Sequence, residues 1–184
     1  TGPNPEQHPR AAGYQFSSNA FKYFAFDDPS FDFLKMDLGA QFDRGRAKMG
    51  PIIDAENPNL AAFKRHGGKL IQYHGWNDPA IPARSSIRYY EDVRRTMGDT
   101  SGFYRLYLVP GMLHCGGGLS PTNVDWLGEL DSWVSEHKAP AAITATASRT
   151  GEGASQLLCP FPGVAHKTGE AWSCTAPKRK AGKA

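Results

Sequence analysis

No apolar run in the 184 residues approaches the roughly 20 needed to span a bilayer, so no membrane-spanning helix is expected. Nor does any basic stripe interleave with aromatic residues, the pattern a nucleic-acid surface would require. The formal charge of +3 depends on Lys178, Arg179, Lys180 and Lys183 near the C-terminus; without those four cations the body stands at −1. Residues 175–184 therefore read as a disordered basic tail. The opening stretch TGPNPEQHPR lacks the charged and apolar regions of a signal peptide and reads as the interior of a longer protein. Residues 1–20 are polar and show no convincing period.

Cysteine is scarce, with Cys115, Cys159 and Cys174 as the only three. The last two flank a Pro- and Gly-containing loop, LCPFPGVAHKTGEAWSC. A bond between them would staple a weakly structured C-terminal segment, worth about 3 kcal/mol by chain-entropy reasoning for a loop of this size. That pairing leaves Cys115 over, and an odd cysteine asks for an external partner. Three free thiols is the alternative. If disulfides form, the compartment is oxidising, which points to secretion or periplasmic export.

What is present is a run of alternating elements. In FKYFAFDDPSFDFLKMDL, the residues Phe21, Phe24, Phe26, Phe31 and Phe33 fill a core or line an aromatic pocket, with Asp27-Asp28-Pro29-Ser30 as a turn. From Phe42 to Arg65 the pattern is helical in pieces, punctuated by Gly50-Pro51 and Asn57-Pro58. Asn57 is a candidate N-cap with Pro58 at the first helical position. KLIQYHG then suits a buried strand. A helix follows over Pro82–Met97, with Ile87, Tyr90 and Val93 on one face, and Gly98 ends it. FYRLYLV, residues 103–109, is a second strand. TNVDWLGELDSWVSEH predicts a last amphipathic helix, started by Thr122 or Asn123 and facing inward through Val124, Leu127, Leu130 and Val134. Trp126 and Trp133 are expected in the core. Strands separated by helices imply parallel pairing with crossover helices, an α/β fold.

Two chemistry-bearing loops follow the two strands: HGWNDPAIP and PGMLHCGGG. In open α/β sheets ligand chemistry collects past the carboxyl ends of the strands. Asp78 and His114 are thus expected on one sheet edge, where a carboxylate can orient an imidazole and stabilise its charged form. Asp before His fits the last two members of a Ser, Asp, His order. The first member is missing. No GxSxG occurs, and Ser17, Ser18, Ser85 and Ser86 sit in polar or helical surroundings. The nucleophile is expected upstream of Thr1.

Taken together, GGKLIQYHGWNDPAIP, RLYLVPGMLHCGGG and LCPFP resemble the C-terminal part of the tannase and feruloyl esterase family of α/β-hydrolases. The DDPSFDF and PNLAAFKRHGGK stretches resemble it too, so the likeness runs from about Phe16 to Cys174. The resemblance implies Asp78 as triad acid and His114 as base. It also implies Cys115 as the bridge to a cysteine preceding the upstream serine. On it, residues 1–20 are the end of a lid insertion and residues 21–174 the C-terminal part of the catalytic domain. The family's serine, lid and lid calcium site have no counterpart here, so no cofactor is expected in this segment. The implied substrates are small-molecule esters of aromatic acids, gallates or hydroxycinnamates. The implied partner is the missing upstream part of the same enzyme, with neither nucleic acid nor membrane involved.

Ile81, three residues past Asp78, either lines the acyl pocket or packs a turn; Trp76 either stacks on substrate or packs its loop. His8, His66, His137 and His166 read as surface residues. Two rivals stand beside the esterase reading. His74, Asp78, His114 and Cys115 could be metal ligands of a metal-dependent hydrolase, although the tight paired spacing of structural zinc sites is absent. The chain could also be an inactive fragment with a binding role only.

Overall fold

A computed structural model describes residues 12–147 and 154–176. The chain divides into two compact units, Thr1–Glu56 and Asn57–Ala184. The sequence set its boundary earlier, between Ala20 and Phe21.

In the first unit the expected lack of pattern before residue 20 gives way to helix α1 (Ala12–Asn19), which widens into a π-helical segment, Ala20–Ala25. A 3₁₀ turn at Phe33–Lys35 and helix α2 (Ala40–Ile53) follow. Contrary to the expected break at Gly50-Pro51, α2 runs through Pro51 and ends with Asp54 N–H donating to Gly50 O. A proline so near a helix end removes one ladder bond without stopping the last turn. Phe21 is the aromatic centre, 5.8 Å from both Phe26 and Phe33 and 6.2 Å from Phe42. Gly45 lets α2 close on it, since a Cβ there would lie 2.6 Å from the Phe21 ring. Phe24 departs from the expected cluster and is exposed. The Asp27–Ser30 turn forms as expected, with Asp28 Oδ1 accepting from the Ser30 N–H and hydroxyl.

The second unit holds the sheet. Helix α3 (Ala61–Arg65) begins later than the Asn57 cap implies. Asn57 Oδ1 accepts from Asn59 N–H and Asn59 Oδ1 from Ala61 N–H, two successive Asx turns that spend the capping bonds before the helix starts. Strand β1 (Leu70–Gly75) pairs in parallel with β2 (Tyr104–Val109), from Leu70↔Tyr104 to Gly75↔Val109. Helix α4 (Ala83–Met97) makes the crossover and stops at Gly98, whose φ of 75° suits glycine. On one side of the sheet Tyr90 and Val93 of α4 pack on Phe103, Tyr104 and Leu106. On the other, Tyr107 and Val109 pack with Met112, Ile143, Ala145 and Leu158.

Helix α5 (Trp126–Ser135) is shorter than expected and is capped by Asp125, whose carboxylate accepts from Gly128 N–H, not by Thr122 or Asn123. Leu127 and Val134 point outward, 80% and 54% exposed. The buried face is instead carried by the tryptophans: Trp133 is buried and Trp126 stacks on Tyr73 at 4.7 Å. Two aromatic rings remove more apolar area from water than the alternative Leu-Val stripe, and they decide the helix's rotation.

Strands β3 (Ile143–Thr146) and β4 (Ser155–Leu158) pair antiparallel, as do β5 (Val164–Thr168) and β6 (Ala171–Thr175). The loop expected to be weakly structured is thus a hairpin, and Cys159–Cys174 closes it with a Cα–Cα distance of 5.8 Å. Thr175 belongs to β6 although the sequence placed it in the tail; residues 177–184, and His8, lie outside the described residues. His66, His137 and His166 are exposed. Among the described residues no helix is long and apolar enough to cross a membrane.

Candidate active site

The parallel pair ends at Gly75 and Val109, and the two loops that leave it are stitched together by their backbones. Trp76 N–H donates to Val109 O at 3.0 Å, and Asn77 N–H to Met112 O at 3.0 Å. Gly75 makes this approach possible: a Cβ there would lie 2.3 Å from Leu113 O and 2.4 Å from Met112 O. Gly118 does the same within the second loop, where a Cβ would meet Gly111 O at 1.9 Å. Gln156 of β4 donates to the carbonyls of Pro110 and Pro121 and so ties the two ends of that loop. A Gly75→Ala variant is expected to lose about 1–3 kcal/mol in a denaturant titration, because backbone must move to admit the methyl. Gly102→Ala, with open space around the glycine, is expected to be nearly neutral in the same titration.

This stitching brings Asp78 and His114 together as the loops' positions predicted. Asp78 Oδ2 lies 2.8 Å from His114 Nδ1. Its other oxygen accepts from the N–H groups of Ala80 (2.8 Å) and Ile81 (3.0 Å). The Asp78 side chain is only 4% exposed, whereas that of His114 is 52% exposed. The Ile81 N–H, aided by His114 and Ala80, holds the Asp78 carboxyl far below the usual carboxylate range and outweighs the desolvation that opposes ionisation. With Asp78 ionised, Nδ1 of His114 carries its proton, and Nε2 of a neutral ring is left as a base. Among the described residues no hydroxyl or thiol is hydrogen-bonded to that Nε2.

A cavity of about 180 Å³ opens beside the pair, lined by Tyr73, His74, Gly75, Asp78, Ile81, Met112, His114 and Cys115. Ile81 therefore shares the space of the catalytic candidates. Trp76 does not: it lines a separate apolar cavity with Leu108, Pro110, Phe161 and Val164, consistent with loop packing. Cys115 is exposed and unpaired, in the left-handed region at φ 59°. Among the described residues no three His, Cys, Asp or Glu side chains are grouped to hold an ion. Both ring nitrogens of His74 are already engaged, one by Ser86 Oγ and the other by Ile81 O.

Sequence reading missed His74 in any role but ligand, together with Gln72, Ser86 and Tyr104. A signal was there: Gln72 and His74 alternate with apolar residues in a strand read as buried, and buried polar groups need partners.

The family model for tannase and feruloyl esterase matches residues 3–180. The chain belongs to the tannase and feruloyl esterase family. Among family relatives, it is 38% identical over 134 residues to a mono(2-hydroxyethyl) terephthalate hydrolase of Piscinibacter sakaiensis, covering 67% of this chain and 22% of that protein. It is 32% identical over 166 residues to a probable feruloyl esterase of Arthroderma benhamiae, covering 84% and 31% respectively. The chain thus spans a third or less of these two relatives' length. Feruloyl esterase B from Aspergillus oryzae has the same fold, with a TM-score of 0.78 at 24% identity over 87% of this chain and 37% of that one. The α/β-hydrolase class expected from the sequence is therefore the fold of this family member.

Proposed function

We propose that this chain carries the acid and base of a serine esterase that hydrolyses esters of aromatic acids, the serine being supplied by a segment outside the 184 residues. The observation that carries the reading is the 2.8 Å contact between ionised Asp78 and His114 Nδ1, which leaves Nε2 unengaged beside a cavity. Two further features support it: β1 is paired along one edge only among the described residues, and membership of the family brings relatives named as esterases.

In this mechanism His114 Nε2 takes the proton of the serine hydroxyl as its oxygen attacks the ester carbonyl. Asp78 stabilises the resulting imidazolium without itself accepting the proton. His114 then protonates the departing alcohol, and the acyl group stays on serine. Water, deprotonated by the same nitrogen, releases the aromatic acid and restores the enzyme. Ile81 contacts the acyl group. Cys115 bonds the cysteine that precedes the serine, which tethers nucleophile to base. The family's lid and its calcium loop belong to the segment outside these residues. The Cys159–Cys174 disulfide supports an oxidising compartment, secreted or periplasmic.

The test compares the 184-residue chain with the full-length protein on a gallate or hydroxycinnamate ester. The full-length protein is expected to turn over and the chain alone is not. Peptide mapping of the unreduced full-length protein is expected to join Cys115 to a cysteine beside a serine. Substantial serine-type hydrolysis by the chain alone, or a free Cys115 in the mature protein, would sink this reading.

A further inference from the structure

Gln72 and His74 point from β1 toward α4, where both meet one hydroxyl. Gln72 Nε2 donates to Ser86 Oγ at 2.9 Å, and His74 Nδ1 lies 2.7 Å from the same oxygen. Behind them, the buried Tyr104 hydroxyl donates to Gln72 Oε1. Ahead, His74 Nε2 lies 3.0 Å from Ile81 O and 3.3 Å from Asp78 Oδ2.

The direction of every proton in this series follows from its ends. A phenol has one proton, and Tyr104 gives it to the Gln72 carbonyl, which turns the amide nitrogen toward Ser86. Ser86 Oγ, already accepting there, gives its own proton to His74 Nδ1. The ring is then neutral with its hydrogen on Nε2. The far end demands the same tautomer independently, because a backbone carbonyl and an ionised carboxylate only accept. Two unrelated constraints thus agree on one state of one imidazole.

We propose that His74, neutral and protonated on Nε2, is a positioning residue for the Asp78–His114 pair. Its N–H pins the Ile81 carbonyl at the end of the loop that carries Asp78, and the same ring nitrogen stands 3.3 Å from the carboxylate oxygen that receives His114. With the loop so pinned, the Ala80 and Ile81 N–H groups stay on the other oxygen, and the carboxylate has one orientation to offer the base. The proposal rests on the esterase reading only for its kinetic consequence.

The test uses the full-length enzyme. His74→Leu removes the N–H and keeps apolar bulk; kcat is expected to fall about 10–100-fold, the scale set by an ångström of misplacement, with KM within about twofold. His74→Gln, whose amide nitrogen reaches the place of Nε2, is expected to recover most of that loss, whereas His74→Asn, a carbon shorter, is not. A readout independent of turnover is the low-field Nδ1–H resonance of His114 in ¹⁵N-histidine-labelled enzyme. It is expected to move in His74→Leu and to return toward wild type in His74→Gln, while His74 itself shows the Nε2–H tautomer. Unchanged kcat and an unmoved resonance in a folded His74→Leu variant overturn the proposal, as does an Nδ1–H tautomer of His74. If His74→Leu does not fold, Ser86→Ala decides by the same two measurements. Absence of turnover in the wild type, with the resonance still shifting, strikes the esterase reading and leaves the positioning role standing.

Discussion

Replacing Asp78 with asparagine in the full-length enzyme is expected to lower kcat about 10⁴-fold while KM changes little. The geometry gives the reason. Asp78 Oδ1 accepts two backbone N–H groups, from Ala80 and Ile81, and an asparagine must keep its carbonyl there. Its NH₂ then occupies the place of Oδ2 and confronts the Nδ1–H of His114. Donor faces donor. His114 escapes by shifting its proton to Nε2, and a ring protonated on Nε2 cannot act as the proposed base. The loop survives, because its backbone bonds to the side-chain oxygen remain, so circular dichroism and the melting temperature are expected to change far less than kcat. The carboxyl of the unmodified protein is held well below the ordinary range, chiefly by the Ile81 N–H. Its contribution to stability is therefore present above the unfolded carboxylate value near ~3.9 and is lost only as pH falls through the depressed folded value. The acid limb of a kcat/KM profile is accordingly not the titration of Asp78.

Much of this arrangement was legible before any coordinates. The two strands announce themselves as short apolar runs ending in Gly-rich loops, and parallel pairing follows from the helix between them. Once they are parallel and adjacent, residues just past each end meet, which is why Asp78 and His114 could be paired 36 residues apart. The polar series behind them was not legible in the same way. Ser86 looked like one more helical serine, and only the placement of α4 over β1 brings it to Gln72 and His74.

The misread elements fail for a common physical reason. Local pattern offers two solutions and tertiary area selects one. In α5, Leu130 belongs both to the aliphatic stripe and to the stripe of Trp126 and Trp133, and the rings win because Tyr73 and Tyr107 offer Trp126 partners while Trp133 is buried beneath Lys69. At the start of α3 the Asn57 side chain has a nearer donor in Asn59 than any helical N–H, so the cap is spent early. Trp76 and Ile81 are five residues apart on one loop, yet that loop turns between them and gives each a different cavity.

His114→Ala is expected to cost still more, on the order of 10⁶-fold in kcat, because in the proposed mechanism the imidazole serves as base in acylation, as acid toward the leaving alcohol and as base again in deacylation. Its ring is half exposed and makes its hydrogen bond to a carboxylate that retains the Ala80 and Ile81 donors on its other oxygen. Removing it lets water take its place at Asp78 Oδ2 from the solvent side, and chemical denaturation is expected to place the variant within about 1 kcal/mol of the parent. The decisive measurement is the double variant. If Asp78 acts only through His114, then Asp78→Asn adds almost nothing to the loss already caused by His114→Ala, although alone it costs about 10⁴-fold. A further loss of comparable size in the double variant would mean that the carboxylate serves the reaction by some route other than the imidazole 2.8 Å away. An unchanged kcat in His114→Ala would remove the base from the mechanism altogether.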